Sequence, residues 1–174
     1  DIRAGFYVKD DGRVNPVDAT MALAKGARLQ GARIIEGVAV TDVLTQRGAV
    51  SGVRTAKGDI QAEYVVNCAG MWARQLGAKS SVSIPLQAAE HYYLITDTIP
   101  QLSPDWPILE DPASHAYIRE EGGGLMIGLF EPVCAPWKVG GIPEDFSFGT
   151  LPPDWDRMTP YLEKAMQRVP ISAD

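Results

Sequence analysis

The feature that most constrains this chain of 174 residues is a short apolar strand that leads directly into small residues and then a helix. Residues Glu63 to Asn67 predict the strand, Cys68-Ala69-Gly70 predicts the turn, and Met71 to Gly77 has helical spacing. Small side chains let backbone N–H groups at a helix start approach a phosphate or a cofactor. Close packing of a strand against a helix would explain the same residues, so the pattern alone leaves both interpretations open.

Composition and charge narrow the class of protein. Hydrophobic residues make up 45% and charged residues 22%, which is typical of a globular chain of one large or two small lobes. The net charge of −6 disfavours a nucleic-acid partner. No apolar run approaches the ~20 residues of a membrane helix, so no membrane association is expected. Two cysteines are too few for a disulfide framework, which favours a reducing, cytoplasmic location.

The first third of the chain predicts a helix between strands. Ala4 to Val8 reads as a strand followed by a turn at Asp11-Gly12. Asn15 before Pro16 predicts a helix start, and the helix should end at Gly31. Its many alanines predict close packing on a sheet. Further strands are predicted at 32–36, 38–44 and 50–55, the last two in a small antiparallel meander.

The last half of the chain predicts a second antiparallel region. Leu86 to Thr96 is a candidate for one long strand, and 117–120 and 125–130 flank a turn at Gly122-Gly123-Gly124. Residues 152–169 have helical spacing and predict one or two helices with a break near Pro160.

Four segments in a fixed order carry a resemblance to a known family. They are Gly12-Arg13-Val14-Asn15-Pro16, Glu36 to Thr41, Val66 to Trp72, and Ala89 to Thr96. Together they resemble the FAD-dependent amine oxidoreductases of the D-amino-acid-oxidase-like superfamily, and most closely its sarcosine and dimethylglycine dehydrogenase branch. The resemblance covers nearly the whole chain.

The resemblance implies a mixed α/β (α+β) fold. Such enzymes join a Rossmann-like FAD-binding lobe to an antiparallel-sheet substrate lobe. We expect residues 14–83 to form part of the FAD-binding lobe with its β-meander. Residues 1–13 and 84–174 are expected to form the antiparallel substrate lobe with C-terminal helices.

The resemblance also implies an activity and its partners. The expected reaction is oxidative demethylation of a small N-methyl amine such as sarcosine or dimethylglycine, with hydride passing to flavin N5 of FAD. An electron-transfer flavoprotein or oxygen would accept the electrons, and tetrahydrofolate is a candidate acceptor of the carbon. Self-association as a homo-oligomer is a further expectation, because an unfilled FAD crevice would expose apolar surface.

Six residues are implied to contact the cofactor. Val38 and Val40 match the family's strand beside the adenosine part of FAD. Cys68, Ala69, Gly70 and Trp72 match the segment that passes the pyrophosphate and the flavin. Contacts of this kind are often made by the backbone, which tolerates changes of side chain.

Three residues are implied to face the substrate. His91 matches the family's strand histidine near the flavin, and an ordinary histidine pKa near ~6.5 suits proton exchange with an ammonium group. Tyr117 matches a pocket tyrosine that would bind the substrate carboxylate or join a proton network. Arg119 could pair with that carboxylate. A satisfied strand histidine, a packing aromatic and a solvated arginine are the structural alternatives.

Other clusters point to no further chemistry. His91, His115 and Cys134 have no recognisable metal-ligand spacing, so no metal is expected. The phosphate-binding Gly-x-Gly-x-x-Gly turn of the family does not occur in the chain. We therefore expect a central piece of a longer oxidoreductase that is inactive by itself. The alternative is a free-standing, flavin-free remnant that acts as a small binding or self-associating protein.

Overall fold

The computed structural model describes residues 2–173, which divide between Glu36 and Gly37 into two compact units. The amino-terminal unit contains one helix, α1 (Pro16–Leu29). The larger unit holds two antiparallel sheets and the remaining helices. This mixture of helices and antiparallel sheets confirms the expected fold class. The predicted lobe boundaries at 14 and 84 are not tested by this division and stay a prediction.

Helix α1 begins where the sequence predicts because its first amides are capped locally. The Asn15 side-chain oxygen accepts hydrogen bonds from the backbone N–H of Val17 at 2.9 Å and of Asp18 at 3.2 Å. Gly31 ends the helix with a φ of 89°. No side chain of α1 is buried, and the predicted close packing on a sheet stays a prediction.

The two strands predicted in the amino-terminal unit do not form. Residues 4–8 and 32–36 have irregular backbone. A strand needs a hydrogen-bonded neighbour, and no strand of the described chain pairs with either segment. Their β-branched and aromatic side chains favour extended backbone, but neither segment has the hydrogen-bonded partner that a strand requires.

The first sheet is the predicted meander. Strands β1 (Val40–Gln46), β2 (Ala49–Thr55) and β3 (Gly58–Gln61) pair antiparallel in chain order. Arg47 and Gly48 both have positive φ, as in the tight turns that match the twist of a hairpin. The predicted strand over 63–67 is wrong, since that segment is irregular and leads into a 3-10 helix (Gly70–Trp72) and α2 (Ala73–Lys79).

The second sheet contains β4 (Tyr93–Ile95), β5 (Leu109–Asp111), β6 (Ala116–Glu121) and β7 (Gly124–Leu129) in the spatial order β4-β7-β6-β5. The predicted glycine turn joins β6 to β7, with positive φ at Gly122 and Gly123. The long strand predicted over 86–96 is shorter than expected. Only β4 and an isolated bridge between Ala89 and Pro136 are formed. Strand β5 was not predicted.

Helix α3 (Trp155–Arg168) packs on one face of this sheet. Met158, Leu162 and Ala165 repeat at helical spacing and are buried with Ile127 and Leu129 of β7. The predicted break near Pro160 is wrong, because α3 continues through it. Pro160 is exposed, and the buried residues before and after it hold the helix on the sheet.

The opposite face of the sheet is not covered by α3, and we call it the open face. In β6 the residues on the α3 side are buried and alternate with Tyr117, Arg119 and Glu121 on the open face. The strand register places Tyr117 opposite Gly128, and Gly128 opposite Tyr93. Tyr93, Gly128 and Tyr117 therefore form one row across β4, β7 and β6.

Candidate functional site

A groove of about 500 Å³ lies beside β4, and we call it the aromatic groove. Its walls come from the end of the 3-10 helix, the segment that leads into β4, and the loop between β7 and α3. None of its lining residues is Asp, Glu, Lys or Arg, and His91 is its one histidine. The lining residues are Met71, Ala88, Ala89, His91, Tyr92, Tyr93, Trp137, Phe146, Gly149, Thr150 and Leu151.

His91 lies in the aromatic groove with an exposed side chain. Its ring stacks on Phe130, with ring centroids 5.9 Å apart and an angle of 25° between the planes. Stacking on one aromatic face limits rotation of the imidazole and leaves its ring nitrogens accessible from the edge. The position is accessible to a small ligand, as proton exchange requires.

Tyr117 reaches the same aromatic cluster from β6. Its ring centroid is 5.2 Å from that of Phe130, so Phe130 contacts both Tyr117 and His91. The phenol end of Tyr117 lies against Gly128, at the place a side chain on Gly128 would occupy. The two predicted substrate residues are thus linked through one phenylalanine, although Tyr117 is not itself in the wall of the groove.

Arg119 follows Tyr117 on the open face of β6, two positions further along the strand. Its guanidinium forms an ion pair with Glu121 at 2.7 Å, and its side chain is 26% exposed. Glu121 therefore compensates the positive charge of Arg119, which was predicted to pair with a substrate carboxylate. A guanidinium has five N–H donors, so the ion pair leaves some for a second acceptor.

The predicted cofactor segment meets the groove through Met71. The indole N–H of Trp72 donates to the backbone oxygen of Pro143 at 2.8 Å, so this N–H is already engaged within the protein. Asn67 holds the preceding turn, because its side chain accepts from the N–H of Ala69 at 3.1 Å and donates to the oxygen of Ala73 at 3.0 Å. The side-chain-free backbone at Gly70 has no atom within 4 Å of where a Cβ would lie.

Val38 and Val40, the other two predicted cofactor residues, lie at the start of the first sheet. Val38 is half-buried and precedes β1, and Val40 is its first residue with 39% exposure. Helix α2 packs against β1, which brings this strand and the Cys68–Trp72 segment into the same part of the unit. The accessible backbone at Gly70, exposed Cys68 and this adjacency fit a cofactor approached through main-chain atoms.

Two polar side chains of α2 fix the loop that closes the groove, and sequence reasoning missed both. Arg74 donates to the side-chain oxygen of Gln87 at 2.9 Å and to the backbone oxygen of Val139 at 2.7 Å. Gln75 exchanges two hydrogen bonds with the backbone of Ile142, at 2.7 and 2.9 Å. Such paired bonds hold the 137–146 loop against α2 and place its aromatic residues.

Trp137 and Phe146 are groove residues that the sequence did not single out. Their ring centroids are 4.7 Å apart, so they form one aromatic wall. The available signal was two large aromatic residues in a stretch rich in Gly and Pro, where a solvated loop has no need of them.

A second cavity of about 530 Å³ lies at the start of α3. Tyr92 contributes to both cavities, and its hydroxyl donates to Glu90 at 2.9 Å. Burial, followed by this bond to a carboxylate, raises the pKa of Tyr92 above its usual range. Arg157 contacts the same Glu90 oxygen at 3.3 Å. This cavity contains none of the predicted site residues, and its Glu90, Tyr92 and Asp154 side chains are engaged in hydrogen bonds or ion pairs.

The described residues contain no group of three His, Cys, Asp or Glu side chains that would hold a metal ion. None of the helices between residues 2 and 173 is long and apolar enough to cross a bilayer. Cys68 and Cys134 are both exposed and unbridged.

Known proteins resemble this chain along nearly all of its length. It is 38% identical over 172 residues to the formaldehyde-forming 4-methylaminobutanoate oxidase of Paenarthrobacter nicotinovorans, covering 99% of the chain and 21% of that protein. It is 35% identical over 178 residues to the mitochondrial dimethylglycine dehydrogenase of Mus musculus, covering 98% and 20%. The mitochondrial pyruvate dehydrogenase phosphatase regulatory subunit of Mus musculus is 38% identical over 175 residues, covering 98% and 20%.

These values mean that the chain spans about a fifth of the length of the curated relatives. Among solved structures, the L-proline dehydrogenase of P. horikoshii is similar, with a TM-score of 0.63 and 25% identity over 88% of this chain and 40% of that one. The family model described as DAO, FAD dependent oxidoreductase, matches residues 1–174. On this match and these relatives, the chain belongs to the DAO family of FAD-dependent oxidoreductases.

Proposed function

We propose that this protein is an FAD-dependent oxidoreductase that oxidatively demethylates a small N-methyl amine of the sarcosine or dimethylglycine type. The observation that carries the proposal is the shared groove. Met71, from the segment matched to the cofactor, and His91, the candidate proton-exchanging residue, line the same cavity. Two relatives, named for 4-methylaminobutanoate and dimethylglycine, support a methylated amine as the substrate class.

The bound FAD would supply the hydride acceptor at flavin N5, and the amine methyl group would supply the hydride. The chain would hold the cofactor through Val38, Val40 and the Cys68–Trp72 segment. The short side chains of Cys68 and Ala69 and the open space beside the Gly70 backbone would admit a ligand there. The volume of the aromatic groove, about 500 Å³, is sufficient for a small amine.

His91 would accept the proton of the incoming ammonium group, since an amine donates hydride readily only when its nitrogen is neutral. No carboxylate lies in the wall of the groove beside the imidazole. Phe130 stacks on one face of the imidazole. Histidine is the side chain most often used for proton exchange near neutrality.

Tyr117 and Arg119 would orient the carboxylate of an amino-acid substrate from the open face. The phenol donates one hydrogen bond, and the guanidinium retains donors beyond its ion pair with Glu121. Arg119 would therefore act at the edge of the pocket. The electron acceptor, whether an electron-transfer flavoprotein or oxygen, transfer of the carbon to tetrahydrofolate, a homo-oligomeric state and a cytoplasmic location stay predictions.

The test compares two histidines in the protein expressed from its whole natural reading frame. We expect His91→Asn to lower the rate of N-methyl amine oxidation on the order of 100-fold or more and to remove the pH dependence near neutrality. Flavin absorbance of the purified variant should be unchanged. His115→Asn is the matched control, since His115 has a φ of 53° that asparagine tolerates and packs edge-on to Tyr161. Equal losses in both variants would contradict the proposal.

One relative favours a second candidate function. It is named as a regulatory subunit, and its identity to this chain equals that of the 4-methylaminobutanoate oxidase. A binding protein of this fold without amine turnover is therefore the alternative. FAD titration followed by dialysis separates the two: retained flavin absorbance with amine-dependent bleaching supports the enzyme. A colourless protein, or a flavoprotein that no methylated amine bleaches, supports the binding protein.

A further inference from the structure

Gly128 is a glycine in the middle of a fully buried strand, where glycine weakens a sheet unless something needs the space. Its φ is not positive, so the backbone does not require glycine there. The space is used by Tyr117, which is its cross-strand partner. The three atoms nearest to a Cβ built on Gly128 are Cζ, Cε1 and the hydroxyl oxygen of Tyr117, closer than any real side chain would tolerate.

The identity of those atoms gives the direction of the ring. They belong to the phenol end of Tyr117, so the ring lies flat across β7 and not upright on β6. The next strand beyond β7 is β4, which carries Tyr93 in the same row. Strand β4 begins two residues after His91. The hydroxyl is thereby brought toward the strand that lines the aromatic groove. Any side chain at position 128 would raise the ring off the sheet.

We propose that Gly128 is a positioning residue, which lays the phenol of Tyr117 across β7 toward the aromatic groove. This inference rests on the proposed function for its purpose, namely a hydroxyl that meets the substrate. Phe130, the residue that follows β7, contacts the ring from the side, with the two ring centroids 5.2 Å apart. A displacement of a positioned group by about 1 Å is enough to lower a rate 100-fold.

The test is a double-mutant cycle in the protein expressed from its whole natural reading frame. Gly128→Ala should lower kcat/KM for N-methyl amine oxidation roughly 10- to 100-fold when Tyr117 is present. In a Tyr117→Ala background the same substitution should have no further effect, because the ring it displaces is gone. Gly140→Ala is the control, since a Cβ there would meet nothing within 4 Å. Equal, additive losses in both backgrounds would overturn the proposal.

Two further readouts keep the result decisive. If Gly128→Ala alone is insoluble, recovery of soluble protein in Gly128→Ala/Tyr117→Ala supports the proposal, and an insoluble double variant overturns it. A nuclear Overhauser effect between the Tyr117 ring and the Gly128 Hα protons reports the ring position without any activity. Absence of this Overhauser effect overturns the proposed position of the Tyr117 ring across β7. Presence of the effect in a protein that oxidises no amine supports this ring position and rejects only the proposed function.

Discussion

The amino-terminal unit and the β4–β7 sheet contain the same kinds of apolar side chain but bury them to opposite extents. Phe6 is 96% exposed and Leu29 is 76% exposed, whereas Ile127 is fully buried and Leu129 is 1% exposed. The difference lies in the partners and not in the residues. In β7, Met126, Ile127 and Gly128 have partners in both flanking strands, and Leu125, Ile127 and Leu129 belong to the buried cluster that includes α3.

The comparison separates what local sequence determines from what long-range contact determines. Helix α1 forms by its own capping bonds although none of its side chains is buried. The strand-like segments 4–8 and 32–36 have no such local means, because the hydrogen bonds of a strand are made to another strand. A helix can therefore form in a unit where apolar, strand-like segments remain irregular.

The largest expected effect is on the buried side of this comparison. Ile127→Ala removes a side chain that is fully enclosed between the sheet and α3. Loss of the apolar contacts and the cavity left behind should lower the free energy of unfolding by about 3 to 4 kcal/mol. Urea unfolding followed by far-UV circular dichroism measures the change.

The matched substitution in the amino-terminal unit is Leu23→Ala, where the side chain is 75% exposed. It exchanges one good helix-forming residue for another and removes little buried surface. The expected change is within about 0.5 kcal/mol. A loss at Leu23 as large as that at Ile127 would remove the distinction between the two regions.

A medium effect is expected at the ion pair that joins the end of β5 to α3. Arg168 donates to Asp111 at 2.6 Å, and their side chains are 29% and 16% exposed. The Ser114 hydroxyl, and then Arg168, hold the pKa of Asp111 below its usual value. Asp111→Asn should lower the free energy of unfolding near pH 7 by about 1 to 2 kcal/mol.

The pH dependence of this effect has a definite sign. A carboxyl whose pKa is lowered in the folded state stabilises the protein above its unfolded pKa, about 3.9. That contribution is lost as the pH falls from there through the lower folded pKa. The difference between the unaltered protein and Asp111→Asn should be constant from roughly pH 5 to 8 and shrink below about pH 4. A difference that grows on acidification would contradict the assignment.

The exposed counterpart is the pair between Arg28 and Glu36 in the amino-terminal unit, at 3.1 Å with 43% and 81% exposure. Solvent screens such a pair, so Glu36→Gln should change stability by less than about 0.5 kcal/mol. The two substitutions remove the same kind of charge and differ in burial.

Features with a local cause could be predicted from the sequence. The Asn15-Pro16 start of α1, the Gly122-Gly123 turn and the β-meander all follow from residues a few positions apart. The strands expected at 4–8 and 63–67, and the break expected near Pro160, required knowledge of distant contacts. Pairing in the first two cases is absent, and packing on the sheet in the third overrides the local preference of proline.

The candidate site was accessible from the sequence only in part. His91 and the Cys68–Trp72 segment could be selected by resemblance, because each is a continuous motif. Trp137, Phe146 and Gly128 could not, since their importance comes from which residues lie beside them in space. Cross-strand register and the hydrogen bonds of Arg74 bring those residues together, and neither is encoded by spacing along the chain.

A local effect, confined to one helix, tests the other side of the comparison at the cap of α1. Asn15→Ala removes the oxygen that accepts from the amides of Val17 and Asp18, and should destabilise the helix by about 1 kcal/mol. Native-state hydrogen exchange should show faster exchange throughout α1, with the amide of Ile127 unchanged. Lys25→Ala, an exposed substitution inside α1, should leave exchange there nearly unchanged because alanine keeps the helical preference. If Asn15→Ala left α1 protected, the helix would depend on contacts other than its cap, and the contrast with the sheet would fail.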